Sequence, residues 1–105
     1  MRNRTHAFER RERIGAQIQR IIAPLIREHG AGKKQIISVA RADTSKDLSH
    51  CTVYVTVLGS GEQSALLDDL NAAAGSFRSA IARELQTKKT PALKFKLEPP
   101  PIEID

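Results

Sequence analysis

Apolar residues recur along this chain with two periods. Between about Thr5 and Glu28, Ile14, Ile18, Ile21, Ile22 and Leu25 step by threes and fours, which predicts an amphipathic helix. Arg13, Arg20 and Arg27 recur every seven residues and fall together on its opposite face. Pro24 withholds an amide from the ladder and predicts a kink, and Gly30 reads as the C-cap. Residues 36–42, IISVARA, then predict a strand, and DTSKDLSH a turn built on Asp and Ser side chains. The clearest strand is CTVYVTVL, residues 51–58. Its Cys51, Val53, Val55 and Val57 point one way, and Thr52, Tyr54 and Thr56 the other.

GSGEQ, residues 59–63, ends that strand and opens the next helix, with Ser60 and Gln63 at capping-box spacing. Leu66, Leu67, Leu70, Ala74, Phe77, Ile81 and Leu85 then trace one helical face. Gly75 interrupts that face, where glycine costs about 1 kcal/mol relative to alanine. Pro91 stops helical geometry. ALKFKL alternates Leu93, Phe95 and Leu97 with Lys94 and Lys96, a last strand with an oily and a basic side. EPPPIEID is a stiff polar exit.

The element order is therefore α-β-β-α(kink)α-β. A strand, a helical crossover and a further strand most simply pair in parallel. The expected fold is α+β, a three-stranded mixed sheet with helices on one face. The 105 residues suffice for one domain, residues 1–98, with residues 1–5 as a flexible basic arm and 99–105 as a short Pro-rich tail.

With 40% hydrophobic residues the chain should fold, and its +5 charge is unevenly spread. Residues 1–34 hold nine basic against three acidic side chains, residues 35–75 two against five, and residues 76–105 six against four. Basic ends around an acidic middle suit a polyanion, though a soluble protein of high pI would also fit. The single cysteine rules out an internal disulfide and suits a reducing cytoplasm. No apolar run approaches the roughly 20 residues that span a bilayer, so no membrane is expected as a partner. MRNRTHAF has no apolar stretch behind it, and Glu9 and Glu12 follow at once, unlike a targeting segment.

Candidate chemistry is thin. His50 and Cys51 are adjacent, but neighbours on a strand point to opposite faces and cannot form a dyad. Asp43 with Asp47, and Asp68 with Asp69, make no catalytic pair, and no metal-ligand spacing occurs. GAGKK, residues 30–34, has a helix before it, a strand after it and Lys34 where a phosphate loop needs Ser or Thr, so it is a connector. Neither enzyme activity, a cofactor nor a small-molecule substrate is expected.

Four stretches in order resemble the ribosome-binding factor A family. SKDLSHCTVYVTVL, residues 45–58, resembles its second strand and preceding turn. Arg10 and Arg13 match its opening RxxR, and Ala73-Ala74-Gly75 with Phe77 and Arg78 matches its Ala-x-Gly helix break. Pro91, Leu93 and Phe95 fit its P-x-L-x-F strand. The resemblance implies a type II KH fold whose GxxG loop is replaced by the Ala-x-Gly kink; this sequence has no GxxG. It implies a non-catalytic factor, monomeric when free, that binds the 30S subunit and 16S rRNA during late maturation and pre-rRNA processing, with a link to cold adaptation. Two stretches depart from the family: QTKKTP stands where arginines and aliphatics are usual, and Glu98-Pro99-Pro100 replaces an Asp-x-Ser pattern and longer tail.

A helix that ends and restarts at Gly75 would expose amide hydrogens and a partial positive charge, a place for phosphate. The candidate RNA-binding set is Arg10, Arg13, Arg20, Ala73, Gly75, Ser76, Arg78, Arg83, Lys88, Lys89, Lys94 and Lys96. Gly75 has a second reading, in which it only lets the helix pack closely on the sheet. Two rival functions stay open: a protein-interaction module docking through Thr52, Tyr54 and Thr56, and a general single-stranded RNA-binding KH domain.

Overall fold

Four isoleucines decide how the first helix lies. The structure, a computed structural model, describes residues 2–31, 35–59, 62–85 and 89–98, with side chains except those of residues 2–8 and 31. Helix α1 (Arg2–Ala31) buries Ile14, Ile18, Ile22 and Ile26, while Ile21 and Leu25 flank them half-covered. It starts within the stretch expected as a flexible arm. It also runs unbroken through Pro24, which sits on the exposed side, where water can solvate the carbonyl that lost its partner.

Gly30 is not a cap but part of the last turn of α1. A Cβ there would lie 2.7 Å from the Ile37 side chain and 2.8 Å from the Gln35 carbonyl oxygen. Gly15 is tighter still, since its Cβ would stand 2.5 Å from the carbonyl oxygen of Ala42. Both glycines let α1 lie close against the first strand.

The strands β1 (Ile36–Thr44) and β2 (His50–Leu58) pair antiparallel, and β2 pairs in parallel with β3 (Ala92–Leu97), in the order β1-β2-β3. Cys51, Val53, Val55 and Phe95 turn towards the helices and are buried. A bulge between Val39 and Arg41 shifts the register, so Arg41 faces Tyr54 and Asp43 faces Thr52 on the outer side, while Ala42 and Thr44 return to the core side. The β1–β2 turn is held by one Asp47 carboxylate oxygen. It accepts from the Ser45 hydroxyl at 2.9 Å, the Ser49 hydroxyl at 2.7 Å and the Ser49 amide at 3.1 Å. Leu48 takes a left-handed φ of 63° to close it.

The crossover from β2 to β3 is the pair α2 (Gln63–Ala72) and α3 (Ala74–Glu84). Glu62 is the N-cap of α2, with no side-chain cap bond of its own; Ser60, and with it the expected capping box, lies outside the described residues. Leu66 and Leu70 of α2, and Phe77 and Ile81 of α3, are buried in the same core as Phe95. The α+β class and the element order are as expected from the sequence. The tail, residues 99–105, lies outside the described residues.

Candidate nucleic-acid interface

The helix breaks at Ala73, two residues before the glycine that predicts it. Ala73 has φ −92° and ψ 4°, and its amide reaches back to the carbonyls of Asp69 and Leu70 at 3.1 Å. Its own carbonyl accepts from Ser76 at 3.0 Å and Phe77 at 3.2 Å, which starts α3. Gly75 is the second residue of the new helix. It uses no positive φ, and a Cβ there would meet nothing within 4 Å. Close packing therefore does not explain it; it presents bare backbone to solvent at the head of α3.

Tertiary bonds hold this break in place. β3 is an edge strand, and Asn71 occupies part of its free side. The Phe95 amide donates to Asn71 Oδ1 at 2.9 Å, and Asn71 Nδ2 donates to the Phe95 carbonyl at 3.2 Å and to that of Leu67 at 3.1 Å. From α1, His29 Nε2 lies 3.0 Å from Asp69 Oδ2. The His29 ring also stands edge-on to Phe77 at 5.9 Å, and Phe77 to Phe95 at 5.6 Å. These contacts pin the end of α2 to the sheet and to α1. Neither Asn71 nor His29 is marked by any periodicity in the sequence.

The candidate residues fall into three groups. The first runs from the break along α3 to the segment before β3. Ala73 is half-buried, Gly75 and Ser76 are exposed, and Arg83 stands exposed in the last turn of α3, where a cation suits the helix end. Arg78 is exposed too, but its Nε and Nη2 both donate to the Thr90 carbonyl, at 3.1 and 2.7 Å. It clasps the segment that leads into β3, beside the exposed Lys89. Lys88 lies outside the described residues.

The second group is the exposed line of Arg10, Arg13 and Arg20 on α1. At about 1.5 Å per residue, Arg10 lies roughly 22 Å along the axis from Leu25. Leu25 is where α1 meets α3, across a shallow groove it lines with Glu28, His29, Ser76, Phe77 and Ala80. The third group stands apart. Lys94 and Lys96 are in register with Thr52 and Tyr54 and project from the sheet face away from the helices. They cannot share one surface with the break.

Arg41, absent from the candidate set, is the most engaged cation of that outer face. Its guanidinium lies 4.2 Å over the Tyr54 ring and pairs with Asp43 at 3.1 Å and Glu98 at 2.7 Å. The bulge that turns it outward has no local signature in the sequence.

Cys51 is buried, with its thiol pushed up to about 11 by that burial, so it carries no thiolate at neutral pH. His50 is exposed on the other side of the strand, its Nδ1 2.8 Å from the Ser49 hydroxyl. Among the described residues no group of His, Cys, Asp or Glu could hold a metal ion, and no helix is long and apolar enough to cross a membrane.

A family model described as ribosome-binding factor A matches residues 10–101. A ribosome-binding factor A of Halorhodospira halophila is 40% identical over 91 residues, covering 84% of this chain and 72% of that one. One from Acetivibrio thermocellus is 38% identical over 94 residues, covering 87% and 76%. Among solved structures, the crystal structure of ribosome-binding factor A from Thermus thermophilus superposes with a TM-score of 0.71 at 26% identity, covering 83% of this chain and 94% of that one. A Thermus thermophilus homology model fitted into the cryo-EM map of a 30S–RbfA complex superposes with a TM-score of 0.62 at 28% identity, covering 78% and 88%. The KH-like arrangement of the elements is common to these neighbours. By sequence and by fold, the chain belongs to the ribosome-binding factor A family.

Proposed function

We propose that this protein is a non-catalytic assembly factor that binds the 30S subunit through its 16S rRNA during late maturation and pre-rRNA processing. It would act in the cytoplasm, as a monomer when free. The observation that carries this reading is the match to a family whose Thermus thermophilus member has been fitted into a 30S complex. The helix break adds a physical reason. Exposed glycine backbone at the head of α3, with Ser76 exposed beside it and Arg83 exposed at the far end of the same helix, offers donors and charge to a phosphate backbone. Arg10, Arg13 and Arg20 extend the basic line along α1, further than one phosphate step, which suits a folded RNA more than a short strand. Arg78 takes a supporting part, holding the segment that carries Lys89.

The test is cosedimentation with purified 30S, 50S and 70S particles over a salt series. Selective binding to 30S is expected. If about five phosphates are engaged, the log–log salt slope should lie near −4. Indifference to particle type, or a flat salt response, refutes the proposal. Equal affinity for short homopolymer RNAs would favour a general single-strand binder instead.

A further inference from the structure

Outward positions on β1 and β2 are polar along most of the sheet: Ser38 faces Thr56, Arg41 faces Tyr54, and Asp43 faces Thr52. One pair breaks the pattern. Ile36 faces Leu58 at the end of the sheet, and they are 64% and 68% exposed, the large exposed hydrophobics among the described residues. This is no slip of register, because their neighbours Ile37 and Val57 turn inward as the pleat requires. Two aliphatic side chains side by side on an open face form a patch that water solvates poorly.

The same face carries Arg41, Lys94 and Lys96 against Asp43 and Glu98, a balance of +1. Its acidic groups, Asp43 and Glu98, are both taken by Arg41. Lys94 and Lys96 are exposed and have no ion pair among the described residues. The face therefore offers an aliphatic pair at one end and, on β3, two ammonium groups without an ion-pair partner among the described residues. An RNA backbone would satisfy the lysines but leave Ile36 and Leu58 uncovered.

We infer that the outer sheet face is a protein-docking surface, whose partner is a segment of a small-subunit protein bearing an aliphatic side chain and nearby carboxylates. The inference rests on the proposed binding to the 30S subunit. The aliphatic side chain covers Ile36 and Leu58, and the carboxylates meet Lys94 and Lys96. From Leu58 to the level of Tyr54 and Lys96 is four strand residues, about 13 Å. An extended partner would therefore carry its acidic residue about four positions from its aliphatic one. Because the helices cover the opposite face, RNA at the helix break and protein on the sheet can be held together.

A benzophenone amino acid placed at Leu58, on protein bound to purified 30S subunits, tests the contact directly. The expected adduct is with a ribosomal protein, at a segment of the stated composition. Adducts with rRNA, with a second copy, or with residues 99–105 of the same chain overturn the inference. So does the absence of any adduct from a variant that still cosediments. In parallel, an Ile36→Thr, Leu58→Thr double variant should keep its affinity for an rRNA transcript within about twofold and lose about tenfold or more for the 30S subunit. Wild-type binding to 30S with an unaffected double variant overturns this inference alone, whereas failure of wild type to bind 30S overturns the proposed function and this inference with it.

Discussion

Replacing Gly75 with alanine separates two properties that substitutions at a binding site usually confound. The methyl group enters open space, since nothing lies within 4 Å of the position it would take. Gly75 is already helical, so the variant gains helix propensity, up to about 1 kcal/mol in a helix interior. As the second residue of α3 it should gain roughly 0.5–1 kcal/mol. A chain of 105 residues unfolds with an entropy of about 0.22 kcal/mol/K, so Tm should rise by about 2–5 °C. Binding should move the other way. If a phosphate approaches the backbone here, the methyl group lengthens or removes a hydrogen bond of about 1–1.5 kcal/mol, a loss of up to about tenfold in affinity. Thermal melts followed by circular dichroism, with 30S cosedimentation on the same preparation, read both. Destabilisation beyond about 1 kcal/mol would refute the open environment of Gly75. A variant that is more stable and binds 30S as tightly as wild type would refute the phosphate approach.

Gly15→Ala should behave oppositely, losing about 3 kcal/mol in urea unfolding because the obstacle at 2.5 Å is the Ala42 backbone carbonyl, which cannot swing away; a loss under about 1 kcal/mol would contradict the packing of α1 on β1. Asn71→Ala leaves the Phe95 amide and carbonyl unpaired and should cost about 1–3 kcal/mol, with faster hydrogen exchange at Phe95; unchanged exchange would show that Asn71 does not guard the edge. Cys51, buried with its thiol pushed up to about 11, should resist maleimide at pH 7 until the protein unfolds, and rapid labelling of the native state would count against its burial. The Ser45 and Ser49 donors hold the Asp47 carboxyl well below its ordinary 3.8. A folded-state value below the unfolded one means that its contribution is present above about pH 4 and is lost as pH falls below that. Asp47→Asn should therefore flatten part of the acid limb of stability, and identical acid limbs would dismiss the turn as a contributor.

Local periodicity, with turn residues as punctuation, is enough to place the elements among the described residues. The isoleucine steps of α1, the alternation of β2 and the six residues of β3 each record which side of a segment meets the core, and that record is written in neighbouring residues. The stripe from Leu66 to Leu85 likewise marked both halves of the crossover. What lies across the core was not so written. The helix breaks at Ala73 because Asn71 bonds to a strand residue 24 positions later, and Asp69 to a histidine 40 positions earlier. Gly30 suits its place because Ile37 and Gln35 come close, not because it ends a helix. Arg41 reaches Glu98 only because a bulge turns it outward and a parallel strand brings residue 98 beside it. Above all, the basic residues looked like one set in the sequence, and the sheet divides them, with Lys94 and Lys96 on one side and the helix break on the other. Period and charge are properties of a segment, but a surface belongs to whichever segments the fold sets side by side.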